Sequence, residues 1–187
     1  MAKVELIGLY GLEQSVMGSK FPMSTEIESL TDDITDTVNK LAASPIGSGH
    51  DNFLNGITVI FDLTFSNKAW VEAERYTFLN FISSQSTMHR ISQFDLRKSC
   101  NGYVTETIVS ECEKLLYAYH KDPSPQNYLT LLYNIPSGFE LTARMITNYR
   151  CLKTIYKQRK NHKLPDWQVF CKWCETLPHF KSWFLGE

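Results

Sequence analysis

Apolar positions along the chain follow two different periods. Residues 4–9 and the β-branched, aromatic run ITVIFDLTF read as strands, the second of them mostly buried, and ELTARMIT alternates enough to make a third. Helical spacing marks residues 24–43, where Ile27, Leu30, Ile34, Val38 and Leu41 form one stripe and Ser24 or Thr25 supplies a cap. It recurs over residues 67–77, 105–119 and 148–161, over a short stretch at 128–133, and over 165–175, where Pro165 suits a first-turn position. Residues 44–52 (SPIGSGHDN) form a loop by composition, and residues 83–101 are polar and irregular. The order predicts one α+β domain over residues 1–187, with three main strands and several helices.

Composition narrows the function classes. Hydrophobic residues make up 43% of the 187 and aromatics 13%, enough for a packed core. A formal net charge of −1 argues against a nucleic-acid coat or a polybasic membrane anchor, so any anion site must be a local basic cluster. No apolar run is long enough to span a bilayer, and the start, MAKVELIGLYG, turns polar too quickly for a secretory signal. Five scattered cysteines suit a reducing, cytoplasmic setting. Cys171 and Cys174 have ligand spacing without a second pair, and read as thiols of a helix face rather than a metal site.

Candidate chemistry lies in three segments. In NYRCLKTIYKQR, Asn148, Leu152, Ile155 and Arg159 share one helix face, while Arg150, Lys153, Lys157 and Lys160 take the opposite, solvated side. Arg159 among apolar residues needs either a carboxylate or a bound anion. In the loop before the buried strand, His50 after Gly49 can face a ligand, with Asp51 and Asn52 offering hydrogen-bonding groups. In SSQSTMHR, seven polar groups in eight positions suit phosphate and base recognition, or else a hydrophilic surface loop. A nucleophilic triad fits poorly, and no glycine-rich phosphate loop or dinucleotide fingerprint occurs.

Taken in this order, the segments resemble the flavin-dependent thymidylate synthases. That family has a Gly-His-Glu loop before a long buried strand, an Arg-His-Arg segment, a serine in a Gln-Ser-x-Arg-like run, and an Asn-x-Arg-x-Leu helix carrying a further arginine. The counterparts here are Gly49, His50 and Asp51; Gln85, Ser86 and Arg90; and Asn148, Arg150, Leu152 and Arg159. The resemblance covers residues 3–180 and implies a small, mainly antiparallel sheet packed by helices. It implies that Ser86 and Arg159 are the catalytic pair and that Gln85, Ser86, Arg90 and Arg159 bind deoxyuridylate. It further implies that His50, Asn52, Arg75 and Asn148 hold FAD, with NADPH and methylenetetrahydrofolate as co-substrates and active sites shared within a homotetramer.

The pattern departs from the family at the basic triplet. Tyr76, Thr77 and Phe78 stand where Arg-His-Arg belongs, with Arg75 one position away, and Asn55 replaces a flavin-contacting glutamate. In a rival register, Met88, His89 and Arg90 take the triplet and Lys98 the serine. Two functions stay open: methylation, or another C5 modification, of deoxyuridylate; and an inactive nucleotide- or protein-binding homologue. Each cation lost from the flavin pyrophosphate removes about 1.5–3 kcal/mol of charge-assisted bonding. The expectation is therefore a weakly held flavin, with Tyr76 and Phe78 free to stack on its ring, beside a surviving pyrimidine-nucleotide site.

Overall fold

The long buried run predicted before residue 66 is the strand on which the molecule is built. In the computed structural model, which describes residues 2–186, β2 spans Thr58–Ser66. Its Val59, Phe61, Leu63 and Phe65 are fully buried, while Thr58, Ile60, Asp62 and Thr64 between them are half-buried. This is the period-2 signature of one core face and one open face. β1 (Lys3–Tyr10) pairs with one edge of β2 and β4 (Glu140–Asn148) with the other. β3 (Asn80–Ser84) adds to the far edge of β4, so the order is β1-β2-β4-β3 and every pairing is antiparallel. On the open face, Arg144 of β4 grips Asp62 of β2 through two hydrogen bonds of 2.8 and 2.9 Å.

Helices cover the core face because their aromatic residues pack on β2. α8 (Tyr149–Arg159), α9 (Pro165–Cys174) and α10 (Phe180–Phe184) bring Tyr149, Trp167, Phe170, Phe180 and Trp183 into one cluster with Phe61 and Phe65. Each such ring contributes about 1.5–3 kcal/mol of burial. The remaining helices are α1 (Leu12–Ser19), α2 (Asp36–Ala43), α3 (Asn67–Ala73), α4 (Thr87–Arg90), α5 (Leu96–Ser99), α6 (Glu106–Lys121) and α7 (Pro125–Tyr133). A second, smaller core of Ile91, Leu96, Cys112, Leu131 and Phe139 holds α5, α6 and α7 together. No helix among the described residues is long and apolar enough to cross a membrane.

The α+β class and the three expected strands are present, and several local expectations are corrected. Residues 24–43 are not one helix: only Asp36–Ala43 is α-helical, capped by Thr35, whose hydroxyl accepts from Val38 N. Ahead of it, Ile27 is half exposed, and local bonds such as Thr31 Oγ1 to Asp33 Oδ2 (2.8 Å) compete with the helix. α1, α4, α5, α10 and the fourth strand β3 come from segments without a clear period. β3 stands at the sheet edge with all five residues exposed, which erases the in/out alternation that marks a half-buried strand.

Candidate functional site

The loop carrying His50 is shaped by two glycines and anchored by one aspartate. Gly47 and Gly49 take positive φ (90° and 80°), where an L side chain is strained, and they turn the chain between α2 and β2. Asp51 then enters the interior with no exposed surface, while its neighbours His50 and Asn52 stay outside. Arg150 Nε donates to Asp51 Oδ1 at 3.0 Å and Lys153 Nζ to Oδ2 at 2.9 Å. The next residues, Asn52–Gly56, form a tight turn against α1, so close that a side-chain carbon on Gly56 would collide with the Ser15 hydroxyl.

Between this loop, α1, residues 20–31 and the start of α2 lies a cavity of about 1330 Å³. His50, Asn52 and Phe53 form one wall, Ser15, Gly18 and Ser19 a second, and Thr35, Thr37 and Leu41 a third. No lining residue is acidic, although Glu26, Glu28, Asp32, Asp33 and Asp36 lie in the same stretch of chain. Several wall hydroxyls are turned inward on their own backbone, as Ser19 is on Val16 O at 2.7 Å. The side chains of Ser15, Thr37, His50 and Asn52 have no hydrogen-bond partner of their own among the described residues. Lys20 reaches across to Thr31 O at 2.7 Å. The volume exceeds the roughly 300–1,000 Å³ of an ordinary small-molecule site. Its neutral donors, lone ammonium and absence of carboxylates suit a large ligand with anionic parts.

No family model matches this chain, and no curated protein matches its sequence. Solved structures do match it. Thymidylate synthase X of Helicobacter pylori with FAD and dUMP superposes with a TM-score of 0.73 at 16% identity, covering 97% of this chain and 95% of that one. A second structure of the flavin-dependent enzyme from the same organism, complexed with FAD and dUMP, gives 0.74 at 16% identity, covering 97% and 99%. This chain has the fold of thymidylate synthase X.

On the thymidylate synthase X fold, the residues singled out from sequence separate into three places. His50 and Asn52 border the cavity, and Asn148 ends β4 at the same end of the sheet, paired with Thr58 at the start of β2. The Asn148 side chain caps α8 by accepting from Cys151 N at 3.0 Å. Exposed Arg75 lies at the same end, in the turn that Thr147 Oγ1 ties through Phe78 O at 2.9 Å. Gln85, Ser86 and Arg90 gather at the other end of β4. Gln85 extends the edge, its N donating to Thr142 O at 3.0 Å and its Oε1 accepting from Thr142 N at 2.9 Å. Ser86 precedes α4, and Arg90 Nη1 donates to Gln93 Oε1 at 3.0 Å. Thr142 and Asn148 are six strand positions apart, about 20 Å. One chain therefore does not bring the two groups together.

Arg159 occupies the third place. Of the two partners its position allowed, the fold supplies a carboxylate: Nη1 donates to Glu72 Oε2 at 3.0 Å and Nε to Tyr76 Oη at 2.7 Å. The guanidinium lies 4.7 Å over the Trp167 ring, and its side chain is 11% exposed. His162 completes the cluster. Leu164 N donates to its Nδ1 at 3.2 Å, so Nε2 carries the proton that meets Glu72 Oε2 at 3.2 Å. Tyr76 is buried and donates to Gln158 Oε1 at 3.0 Å, so it is packed against Trp167 rather than free to stack on a ligand.

Two side-chain readings change. Lys153, expected on a solvated face, is buried and hydrogen-bonded three times, and Arg150 is half-buried against Asp51. The buried arc of α8 is rotated toward Tyr149 and Tyr156, because α10 covers that side and its apolar residues were not recognised as a helix. Burial pushes the Tyr156 phenol up, reinforced by its hydrogen bond to Glu175 Oε1 at 2.7 Å. Burial likewise drives the Cys171 thiol to about 12 and Cys174 well above its ordinary value. No group of metal-ligating side chains occurs among the described residues. Neither Ser15 nor Thr37 is marked by the sequence: α1, which carries Ser15, has no clear period, and a lone hydroxyl on the polar face of a helix, as at Thr37, carries no signal.

Proposed function

We propose that this protein binds a flavin nucleotide in the cavity beside His50 and a pyrimidine nucleotide at Gln85, Ser86 and Arg90. The observation that carries the reading is the cavity of about 1330 Å³, free of acidic lining, with the side chains of His50 and Asn52 on its wall and without hydrogen-bond partners among the described residues. It sits on a fold shared with proteins solved with FAD and dUMP. His50, Asn52 and Asn148 would hold the flavin, with Lys20 of the cavity wall, and Arg75 by family likeness, compensating its pyrophosphate. When bound, FAD supplies hydride chemistry, drawing on NADPH, for methylation of deoxyuridylate by a folate-borne carbon. Ser86 would lie against the pyrimidine and Arg90 would pair with its phosphate. The part left to Arg159 is contact through Nη2, since Nε and Nη1 are taken by Tyr76 and Glu72 and Nη2 has no hydrogen bond among the described residues.

Because the two groups stand at opposite ends of β4, a working site takes one group from each of two copies. The proposal therefore includes a homo-oligomer, a tetramer by family likeness, in the reducing cytoplasm that five free thiols suit. A second reading, an inactive nucleotide- or partner-binding homologue, is favoured by the burial of Tyr76 where the family carries a basic triplet. The test is the absorbance of freshly purified protein, followed by separate titrations with FAD and dUMP. We expect saturable dUMP binding, weakened by Ser86→Ala and Arg90→Ala, together with weak FAD binding that is lost on dialysis. Light scattering should report an oligomer. Binding of neither ligand would select the second reading, and a strict monomer at micromolar concentration would remove the shared site.

A further inference from the structure

One ammonium holds two walls of the cavity at once without touching the cavity. Lys153 has three N–H donors, and each meets an acceptor: Ala42 O at 2.7 Å, Ser44 O at 2.6 Å and Asp51 Oδ2 at 2.9 Å. The first two are carbonyls at the end of α2, which no later helical turn satisfies and where the helix dipole is negative. The third belongs to the residue between His50 and Asn52. α2 supplies Thr35, Thr37 and Leu41 to one cavity wall, and the loop supplies His50 and Asn52 to another. Residues 45–50 between the two ties are exposed and bend through left-handed Gly47 and Gly49. Their own bonds are few and local: Ser48 N to Pro45 O at 3.0 Å, His50 N to Ser48 Oγ at 3.3 Å, and Asn52 N to Gly49 O at 3.3 Å.

We propose that Lys153 is a positioning residue that sets the separation of α2 from the His50 loop and thereby holds the cavity in its ligand-sized form. The physical ground is that the loop has no buried apolar anchor between Ser44 and Asp51, so the ties at its two ends define its path. Both ties converge on Nζ. Arg150 reinforces only the Asp51 end, through Oδ1. Loss of Lys153 therefore releases the carbonyls of Ala42 and Ser44, where the loop leaves α2, while leaving Asp51 paired. The inference rests on the proposed flavin reading for its ligand consequence alone; the control of loop geometry stands apart from that reading.

The experiment compares wild type, Lys153→Met and Lys157→Met as full-length proteins by native-state hydrogen exchange and by titration with FAD. Lys153→Met keeps the length of the side chain and leaves the Asp51–Arg150 pair in place; Lys157 is exposed on the same helix and serves as control. In Lys153→Met, amide exchange at Ser48, His50 and Asn52 should rise about tenfold, with β2 and β4 amides unchanged. FAD should bind about tenfold more weakly. Lys157→Met should match wild type in both. Unchanged exchange at residues 48–52, or exchange that rises uniformly with global unfolding, overturns the positioning role. Faster loop exchange with wild-type FAD affinity overturns its bearing on the cavity. Should Lys153→Met fail to fold, Lys153→Gln, which keeps a polar end but is too short to reach all three acceptors and also leaves the Asp51–Arg150 pair in place, is used with the same expectations. If wild type takes up no FAD, the flavin reading fails by itself and the exchange data alone decide the control of the loop.

Discussion

The inward side of α8 and the wall of the large cavity treat polar groups in opposite ways. On α8, Arg150, Lys153 and Arg159 are each bound to a carboxylate of this same chain, Asp51 or Glu72, and Lys153 has no donor left over. On the cavity wall, the side chains of Ser15, Thr37, His50 and Asn52 have no hydrogen-bond partner among the described residues. A charge removed from water must find its complement within the fold, so the first region is closed and structural. Neutral groups at a wet wall carry no such penalty and stay available for a ligand. Richness in cations and suitability for an anion are therefore different properties, and in this molecule they lie in different places.

The largest effect should come from breaking the closed region. Asp51→Ala strands Lys153 and Arg150 opposite a missing carboxylate and should lower stability by about 3–5 kcal/mol, read from the urea midpoint. A loss near zero would mean that the cluster relaxes into water and that the contrast is false. Next comes Arg159→Ala, which removes one partner of Glu72 and the cover of Trp167 and should cost about 1–3 kcal/mol. Calorimetry with dUMP on this variant sharpens the comparison. We expect stability to suffer more than nucleotide affinity, and an affinity loss beyond tenfold at unchanged stability would make nucleotide binding, rather than packing, the main part of Arg159.

Substitutions on the open wall should behave the other way. His50→Ala and Asn52→Ala should change stability by no more than about 0.5 kcal/mol, while FAD titration shows about tenfold weaker binding. Destabilisation comparable to Asp51→Ala would show that the wall is structural after all. The smallest expected effect concerns the thiols. The thiolate is the reactive form and is populated only as pH approaches the pKa, so Cys171, pushed to about 12, and buried Cys174 should resist alkylation at pH 8 until the protein is unfolded. Mass spectrometry after iodoacetamide treatment checks this, and rapid native labelling of either would break the packing of α9 on β2.

The sequence by itself determined the α+β class, the buried strand through Phe61 and Phe65, the loop that exposes His50, and the helix from Tyr149 to Arg159. Each is written in local terms: a period of two, a pair of glycines, a stripe at helical spacing. It also required that Arg159 meet a negative partner, since a cation among apolar neighbours must. Which partner it met only the tertiary structure decided, because Glu72 lies 87 positions earlier in the chain and reaches Arg159 only once the fold brings the last turns of α3 and α8 together. Lys153 shows the same limit more sharply. Helical phase placed it in solvent, but α10 closes over Tyr149 and Tyr156 and widens the buried arc until the ammonium sits between α2 and Asp51. The cavity, too, forms where α1 meets the turn at Gly56 and α2 begins only at Asp36. Burial, pairing and empty space depend on what arrives from far along the chain, whereas periodicity records only what each segment does alone.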